Sequence, residues 1–151
     1  MVEAFPLDQA EVAYARRLRE FTGREWRALR SASGRVDMAE SVGNWVPSIE
    51  LDDGSWQMSY AVLSSEAEDF MRTLDQLGLQ IPYDWSAWEA GRTLAEHPDM
   101  LEAATPAEAA MVIFAIWRSD RFVEGELLEA FENGLIQRAV RRVLAAEVAD
   151  D

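Results

Sequence analysis

Charged and aromatic side chains are concentrated in residues 117–126, which we call the junction segment. A guanidinium can bind a carboxylate or phosphate through two parallel hydrogen bonds, and a neighbouring carboxylate can fix its orientation. The segment therefore predicts an anion or carboxylate clamp, in which Arg121 is the donor and Glu124 orients it. The predicted polar cluster consists of Arg118, Asp120, Arg121 and Glu124.

The same segment also fits a purely architectural interpretation, which we favour. Asp120 can cap the following turn, and Arg121 can pair with Glu124 at i,i+3. Phe122 would then fill the core, and Gly125 would allow close approach of the backbone. Helix junctions often need such contacts, because helix ends leave backbone groups without partners.

A second group with chemical potential is aromatic and surrounds one carboxylate. Aromatic walls of this kind suit a planar or cationic ligand. In a domain of this size, however, tryptophans more often belong to the core or cover a hairpin, and this is the favoured interpretation. The group consists of Tyr83, Asp84, Trp85 and Trp88, together with Trp56 and Tyr60.

The composition excludes several chemistries. The chain has no cysteine and one histidine, so disulfides, Fe–S clusters, cysteine nucleophiles and multi-histidine metal sites are ruled out. His97 lies at a predicted helix end, where the helix dipole stabilises a cation. Walker, dinucleotide-binding, Gly-x-Ser-x-Gly and EF-hand motifs do not occur. We therefore predict no catalytic residue, no cofactor and no metal site.

Negative charge is concentrated in the middle of the chain. Residues 36–117 hold two arginines and fifteen acidic residues, a balance of −13. Residues 1–35 carry +2 and residues 118–151 carry −3, which gives the net charge of −14. An acidic surface repels phosphate backbones, so we expect no direct binding of nucleic acid. It predicts instead a basic partner protein, which in the sharper form of the hypothesis is itself a nucleic-acid-binding protein.

Length and hydropathy predict one folded domain in the cytoplasm. A chain of 151 residues can bury a sizeable core. The longest apolar run, residues 109–117, is far short of the roughly 20 residues that cross a bilayer, so no membrane partner is expected. No export signal is visible at the start.

Residues 1–35 are predicted as a basic helical segment. One apolar stripe on it contains Tyr14, Leu18 and Phe21. Asp8 is the expected N-cap of its first helix, and Gly23 is the expected end. Residues 31–34 indicate a linker, because serine and glycine cluster there, and the loop continues to residue 43.

A β-hairpin is predicted at about residues 45–60. Apolar residues alternate on both sides of Asp52-Asp53-Gly54, which is a strong hairpin signal. Pro47 would have to lie on an exposed edge. A two-stranded hairpin is marginal alone and must pack on helices. The predicted core-facing residues are Trp56, Met58 and Tyr60.

A helical core domain is predicted for residues 44–146. Its clearest helix start is Thr105-Pro106-x-Glu108, and the following residues 109–117 are apolar on every side. The predicted fold is therefore mainly α (α+β): a compact helical domain around a central apolar helix, with one small hairpin. Other expected features are a capping box at Ser65-x-x-Glu68, Asp84 capping a helix from Trp85 to His97, an amphipathic helix over residues 135–144 and a loose tail at 147–151.

Three of these stretches occur in an order that resembles a bacterial domain-of-unknown-function family. They are Trp56-Gln57-Met58-Ser59-Tyr60, Ile81-Pro82-Tyr83-Asp84-Trp85 and Asp120-Arg121-Phe122-Val123-Glu124-Gly125. The family is similar in its Gln-Met-Pro-Tyr, Pro-Tyr/Phe-Asp-Trp and Arg-Phe-x-Glu-Gly elements, although Ser59 stands where it usually has proline. The resemblance covers about residues 44–145 and implies a shared fold, but no reaction.

The sequence therefore favours a non-enzymatic interaction or regulatory module that presents an acidic face to a basic partner, as DNA-mimic inhibitors do. The alternative is a small enzyme or ligand-binding domain whose pocket lies between the Arg-Phe-x-Glu-Gly and Pro-Tyr-Asp-Trp turns. A homodimer through the 135–144 helix or the hairpin edge is a third possibility. The site assignment at the two turns requires the central helix to bring these turns close together.

Overall fold

Helix α5 (Pro106–Ser119) is at the centre of the computed structural model, which describes residues 4–147. Its start is the predicted capping box: the Thr105 hydroxyl accepts from the backbone N–H of Glu108 at 3.0 Å, and the Glu108 carboxylate accepts from that of Thr105 at 2.9 Å. Apolar residues on every side of α5 are buried. The prediction of a mainly α fold around a central apolar helix, with a small β element, is confirmed.

The described residues contain six further α-helices, of which α1, α4, α6 and α7 contact α5. Helices α1 and α7 pack directly on α5, and α2 packs mainly on α3. Two short 3-10 segments, Trp85–Ala87 and Pro98–Glu102, flank α4. None of the helices in residues 4–147 is long and apolar enough to cross a membrane. The six helices are α1 (Leu7–Arg19), α2 (Gly23–Met38), α3 (Ser65–Gln76), α4 (Glu89–Glu96), α6 (Glu126–Glu132) and α7 (Leu135–Leu144).

The N-terminal helices begin and end differently from the prediction. Pro6, and not Asp8, precedes the first residue of α1, and Asp8 lies in the first turn. Gly23 is not a helix end: it is the first residue of α2, whose N-cap Thr22 forms a capping box with Glu25. The chain leaves α1 after Arg19, four residues before the predicted end at Gly23.

The predicted linker at residues 31–34 is wrong, because α2 continues through it to Met38. Ala32, Ser33 and Val36 are buried on this helix, which packs on α3 and α7. Small side chains allow helices to approach closely, so tertiary packing here overrides a composition that is typical of turns. As a result, the same hydrophobic core contains residues from α1, α2 and the later helices.

The predicted hairpin is present and extends from residue 43 to 63. Strands β1 (Gly43–Val46) and β4 (Tyr60–Leu63) pair antiparallel, as do β2 (Ile49–Glu50) and β3 (Trp56–Gln57). The register is continuous, since Val46 lies opposite Tyr60 and Ile49 opposite Gln57. The ladder is interrupted at Pro47, which has no N–H to donate and is exposed as predicted.

Two further helix starts are displaced from their predicted residues. Ser64, not Ser65, caps α3, where its hydroxyl accepts from the backbone N–H of Ala67 at 3.2 Å. Asp84 precedes only a 3-10 turn, and α4 begins at Glu89. Gly78 follows Leu77, the C-cap of α3, with φ +72°, the conformation that favours glycine at the C′ position. Of the predicted loose tail at 147–151, only Glu147 lies within the described residues.

Candidate functional site

The two predicted turns meet at the C-terminal end of α5. The rings of Trp85 and Phe122 lie with their centroids 6.3 Å apart. A nearby cavity of about 340 Å³ is lined by Tyr83 and Trp85 of the Pro-Tyr-Asp-Trp turn and by Trp117 and Arg118 of α5, but by no residue of the Arg-Phe-x-Glu-Gly turn. The two turns therefore lie near each other, but Asp84, Arg121 and Glu124, which the sequence hypothesis placed in one pocket, do not line this cavity.

Buried tyrosines attach the Pro-Tyr-Asp-Trp turn to the helices. The Tyr83 hydroxyl donates to the carbonyl oxygen of Met111 at 2.7 Å. The Tyr14 hydroxyl donates to the carbonyl oxygen of Ile81 at 2.9 Å and accepts from its N–H at 3.0 Å. Burial raises the pKa of both tyrosines far above the usual value. Tyr83 is thus a core residue that fixes the turn and touches the cavity.

The polar cluster of the junction segment does not form the predicted clamp. Glu124 Oε1 accepts from the backbone N–H of Ala61 at 2.9 Å, so it binds strand β4 rather than Arg121. The guanidinium of Arg121 lies over the Trp117 ring at 5.6 Å, and that of Arg118 lies at 5.8 Å. Among the described residues no ion pair joins Arg121 to Glu124.

Other parts of the junction segment agree with the architectural interpretation. Asp120 Oδ1 accepts from the backbone N–H of Leu127 at 3.0 Å, so it binds the first turn of α6 rather than the turn that directly follows it. Gly125 has φ +86°, and a Cβ there would lie 1.9 Å from Cζ2 of Trp45, so the predicted close approach is confirmed. Phe122 does not fill the core: it is 79% exposed, because the turn after Ser119 directs it outward.

The hairpin presents an apolar face to solvent, which we call the apolar stripe. Because residues alternate along a strand, Trp56, Met58, Tyr60 and Val62 share one face. They are 62%, 76%, 39% and 37% exposed, respectively. The prediction that Trp56, Met58 and Tyr60 face the core is wrong, and so is the grouping of Trp56 and Tyr60 with the Tyr83 pocket, which they do not line.

The opposite face of the hairpin explains this orientation. Trp45 packs on the backbone of Gly125, and Gly43 lies against Leu128. Leu63 packs against the core. The hairpin is therefore attached to the junction segment and α6 at its base, and its distal half projects, so that Ile49 is also exposed.

A signal for the exposed face was present in the sequence. The cross-strand partners of the apolar stripe lie on the same face of the hairpin as the stripe. They include Asn44, Ser48 and Glu50, and Glu50 pairs with Trp56. A face that carries a carboxylate and two short polar side chains is expensive to bury. The complementary face, with Trp45 and Leu63, was the better candidate for packing.

Exposed apolar residues are concentrated at this site. Nine of the thirteen large apolar side chains that are exposed in the described residues belong to the hairpin or the junction segment, Phe122 and Val123 among them. Acidic residues border the stripe, namely Glu50, Asp52 and Asp53. Hydrogen bonds from the Ser55 hydroxyl and then its N–H hold the pKa of Asp53 below its usual range. The site thus combines apolar surface with negative charge.

No arrangement of three or more histidine, aspartate or glutamate side chains that could hold a metal ion occurs in residues 4–147. His97, the sole histidine, is exposed at the end of α4. The two charged residues that line the cavity are Asp75 and Arg118, and Asp75 does not belong to such a group.

These features define a small helical domain that carries an exposed apolar hairpin beside an aromatic cavity. The chain belongs to a family of unknown function, DUF6508, whose model matches residues 21–148. The match includes α2, which the motif resemblance over about residues 44–145 had left outside. No curated protein and no solved structure matches the chain.

Proposed function

We propose that this protein is a non-enzymatic interaction module, which binds a basic partner protein through the apolar stripe and the acidic residues that border it. The observation that carries the proposal is the exposure of Trp56, Met58, Tyr60 and Val62 on one continuous hairpin face. Contiguous apolar surface of this kind marks interaction sites on soluble proteins. Aromatic residues and methionine are also the types enriched at the centres of protein interfaces.

The charges around the stripe support a basic partner. No arginine occurs between residues 36 and 71, so Glu50, Asp52 and Asp53 are not neutralised by neighbours in sequence. Their field steers a cationic surface toward the hairpin and repels nucleic acid. It also opposes a second copy of this chain, because the same acidic tips would meet. In its sharper form the proposal names a nucleic-acid-binding partner, for which the acidic face competes with the phosphate backbone.

Site-specific crosslinking tests the proposal. A photoreactive phenylalanine analogue replaces Met58 in the host cell, and mass spectrometry identifies the proteins that are captured. The matched control carries the analogue at Val12, which is 56% exposed on α1 and remote from the hairpin in sequence. We expect a protein with a basic surface to be captured from position 58 only. The same capture from both positions would contradict the proposal.

Binding by the purified partner is the quantitative test. Affinity is expected to fall steeply between low and moderate salt, because screening weakens the attraction of the acidic border. The Trp56→Ser/Met58→Ser variant should lose binding and remain folded, since both side chains are exposed. Binding that is insensitive to salt, or that survives the double substitution, would overturn the proposal.

A second candidate function is small-ligand binding in the cavity between the Pro-Tyr-Asp-Trp turn and the C-terminal end of α5. Its volume of about 340 Å³ is within the range of ligand pockets, roughly 300–1,000 Å³. Tyr83, Trp85 and Trp117 supply aromatic walls, and Arg118 supplies a cation. Screening of small aromatic carboxylates by NMR tests this function. Shifts that are confined to the cavity and lost in Arg118→Gln would favour it, and they would be unaffected by Trp56→Ser/Met58→Ser.

A further inference from the structure

Three arginines converge on a second concave site, at the opposite end of the sequence from the basic N-terminal helices. The pocket lies between the 3-10 segment Pro98–Glu102 and α7, and has a volume of about 250 Å³. We propose that this arginine pocket binds the phosphate group of a small molecule. It is lined by Leu101, Glu102, Arg138, Arg141, Arg142 and Ala145. The inference is independent of the proposed partner-binding function.

The arginines in the pocket are not used in ion pairs. Within residues 4–147, none of Arg138, Arg141 and Arg142 has a carboxylate within 4.0 Å, although Glu102 lines the same pocket. Three guanidinium groups and one carboxylate leave a local excess of positive charge. The protein as a whole has a net charge of −14, so a local excess of positive charge differs from the rest of the chain. Unpaired guanidinium groups around a concavity are the arrangement that recognises phosphate oxygens.

One of the three side chains is already oriented. Arg142 is half-buried, and its Nε donates to the carbonyl oxygen of Ala104 at 2.5 Å. This bond leaves the terminal nitrogens of the guanidinium available for another acceptor. An orientation fixed before binding reduces the entropy that is lost when a ligand is held.

The helix dipole gives only a partial alternative explanation. Arg141 and Arg142 lie in the last turn of α7, where cations are favoured. Arg138 lies a turn earlier in α7, and it lines the same pocket. The dipole therefore does not account for the convergence of all three groups.

The pocket also indicates the ligand class. Its volume exceeds what a single phosphate ion fills, and Glu102 supplies an acceptor for a hydroxyl group. A phosphorylated small molecule with free hydroxyls, such as a sugar phosphate, satisfies both features. The arginines would bind the phosphate, and Glu102 would accept from a hydroxyl.

The test is an NMR titration of the full chain with ribose 5-phosphate and with inorganic phosphate, each against sodium chloride at matched ionic strength. We expect saturable shifts around Leu101 and Ala145 with both phosphates, and tighter binding of ribose 5-phosphate. The Arg138→Gln/Arg141→Gln variant should weaken binding by about tenfold or more, because two charge-assisted contacts are lost. Both side chains are exposed, so the variant should fold normally.

The matched control is Arg24→Gln/Arg27→Gln on α2. These residues have the same spacing, are also exposed, and change the net charge equally. The control should bind both phosphates as the unaltered protein does. Shifts that do not saturate, that sodium chloride reproduces, or that both variants weaken equally would overturn the inference.

Discussion

The ring of Trp45 lies where a side chain at position 125 would begin. A Cβ built on Gly125 would be 1.9 Å from Cζ2 of Trp45, well inside the distance that any real contact allows. The indole of Trp45 in the hairpin therefore packs directly on the backbone of Gly125 in the junction segment. This contact attaches the base of the hairpin to the helical body.

Gly125→Ala should be strongly destabilising. The substitution forces a non-glycine residue to adopt φ +86° and also creates the overlap with Trp45. We expect a loss of about 3 kcal/mol in the free energy of unfolding, measured by urea denaturation.

A second glycine separates the two causes. Gly134 has φ +84° but no neighbouring atom within 4 Å of its added Cβ, so Gly134→Ala should cost only about 1 kcal/mol. In a Trp45→Ala background, the cost of Gly125→Ala should fall to the same value. An equal cost with and without Trp45 would mean that the ring is not the obstacle.

Stability should decline in alkaline solution because Tyr14 and Tyr83 are buried. The pKa of both tyrosines is raised in the folded state, so their contribution to the free energy of unfolding is fully present below about pH 10. It is lost as pH rises further, because the unfolded chain then releases these protons while the folded protein retains them. Each tyrosine should add about 1.4 kcal/mol per pH unit to the decline.

Urea denaturation between pH 8 and pH 11 measures this slope. Tyr83→Phe should lower stability at pH 8, since the Met111 carbonyl loses its partner, yet reduce the alkaline slope by one tyrosine's share. Tyr14→Phe should behave in the same way. Slopes that are unchanged in both variants would contradict the assignment.

Glu124→Ala should release strand β4 locally. The carboxylate accepts from the Ala61 N–H, so its removal should accelerate hydrogen exchange at that amide and lower global stability by about 1 kcal/mol or less. The control Glu132→Ala removes an exposed carboxylate from α6 and should leave Ala61 exchange unchanged. Equal exchange in all three proteins would show that the bond does not persist in solution.

The apolar stripe should contribute little to folding. Trp56→Ser/Met58→Ser should alter the free energy of unfolding by less than about 1 kcal/mol, because both side chains are exposed. Phe70→Ala, which empties a fully buried position in α3, should cost about 3–5 kcal/mol. A double variant that unfolds would indicate that the stripe packs internally.

Elements with a local start signal could be predicted from the sequence. The capping box at Thr105 and the apolar residues after it define α5 without tertiary information. The hairpin followed from the turn at Asp52-Asp53-Gly54 in the same way. The meeting of the two turns followed from the central position of α5, because both border its C-terminal end.

Features that depend on which surface packs were not predicted, although the polar residues paired with the apolar stripe were a partial signal for the hairpin. Alternation shows that a strand has two faces, but the choice of the Trp45 face rests on Gly125, more than sixty residues away in sequence. A linker was predicted at residues 31–34, but α2 continues through them and packs on α3 and α7. The partner of Glu124 is likewise a backbone group of a distant strand rather than the neighbouring Arg121.

The exposed stripe makes colloidal behaviour depend on pH. At neutral pH each molecule carries a net charge of −14. Repulsion between these charges keeps the exposed apolar stripes of different molecules apart. Acidification toward the isoelectric point, near 4.4, removes that repulsion. Precipitation should therefore set in during acidification while the fold is intact, and serine at positions 56 and 58 should delay it.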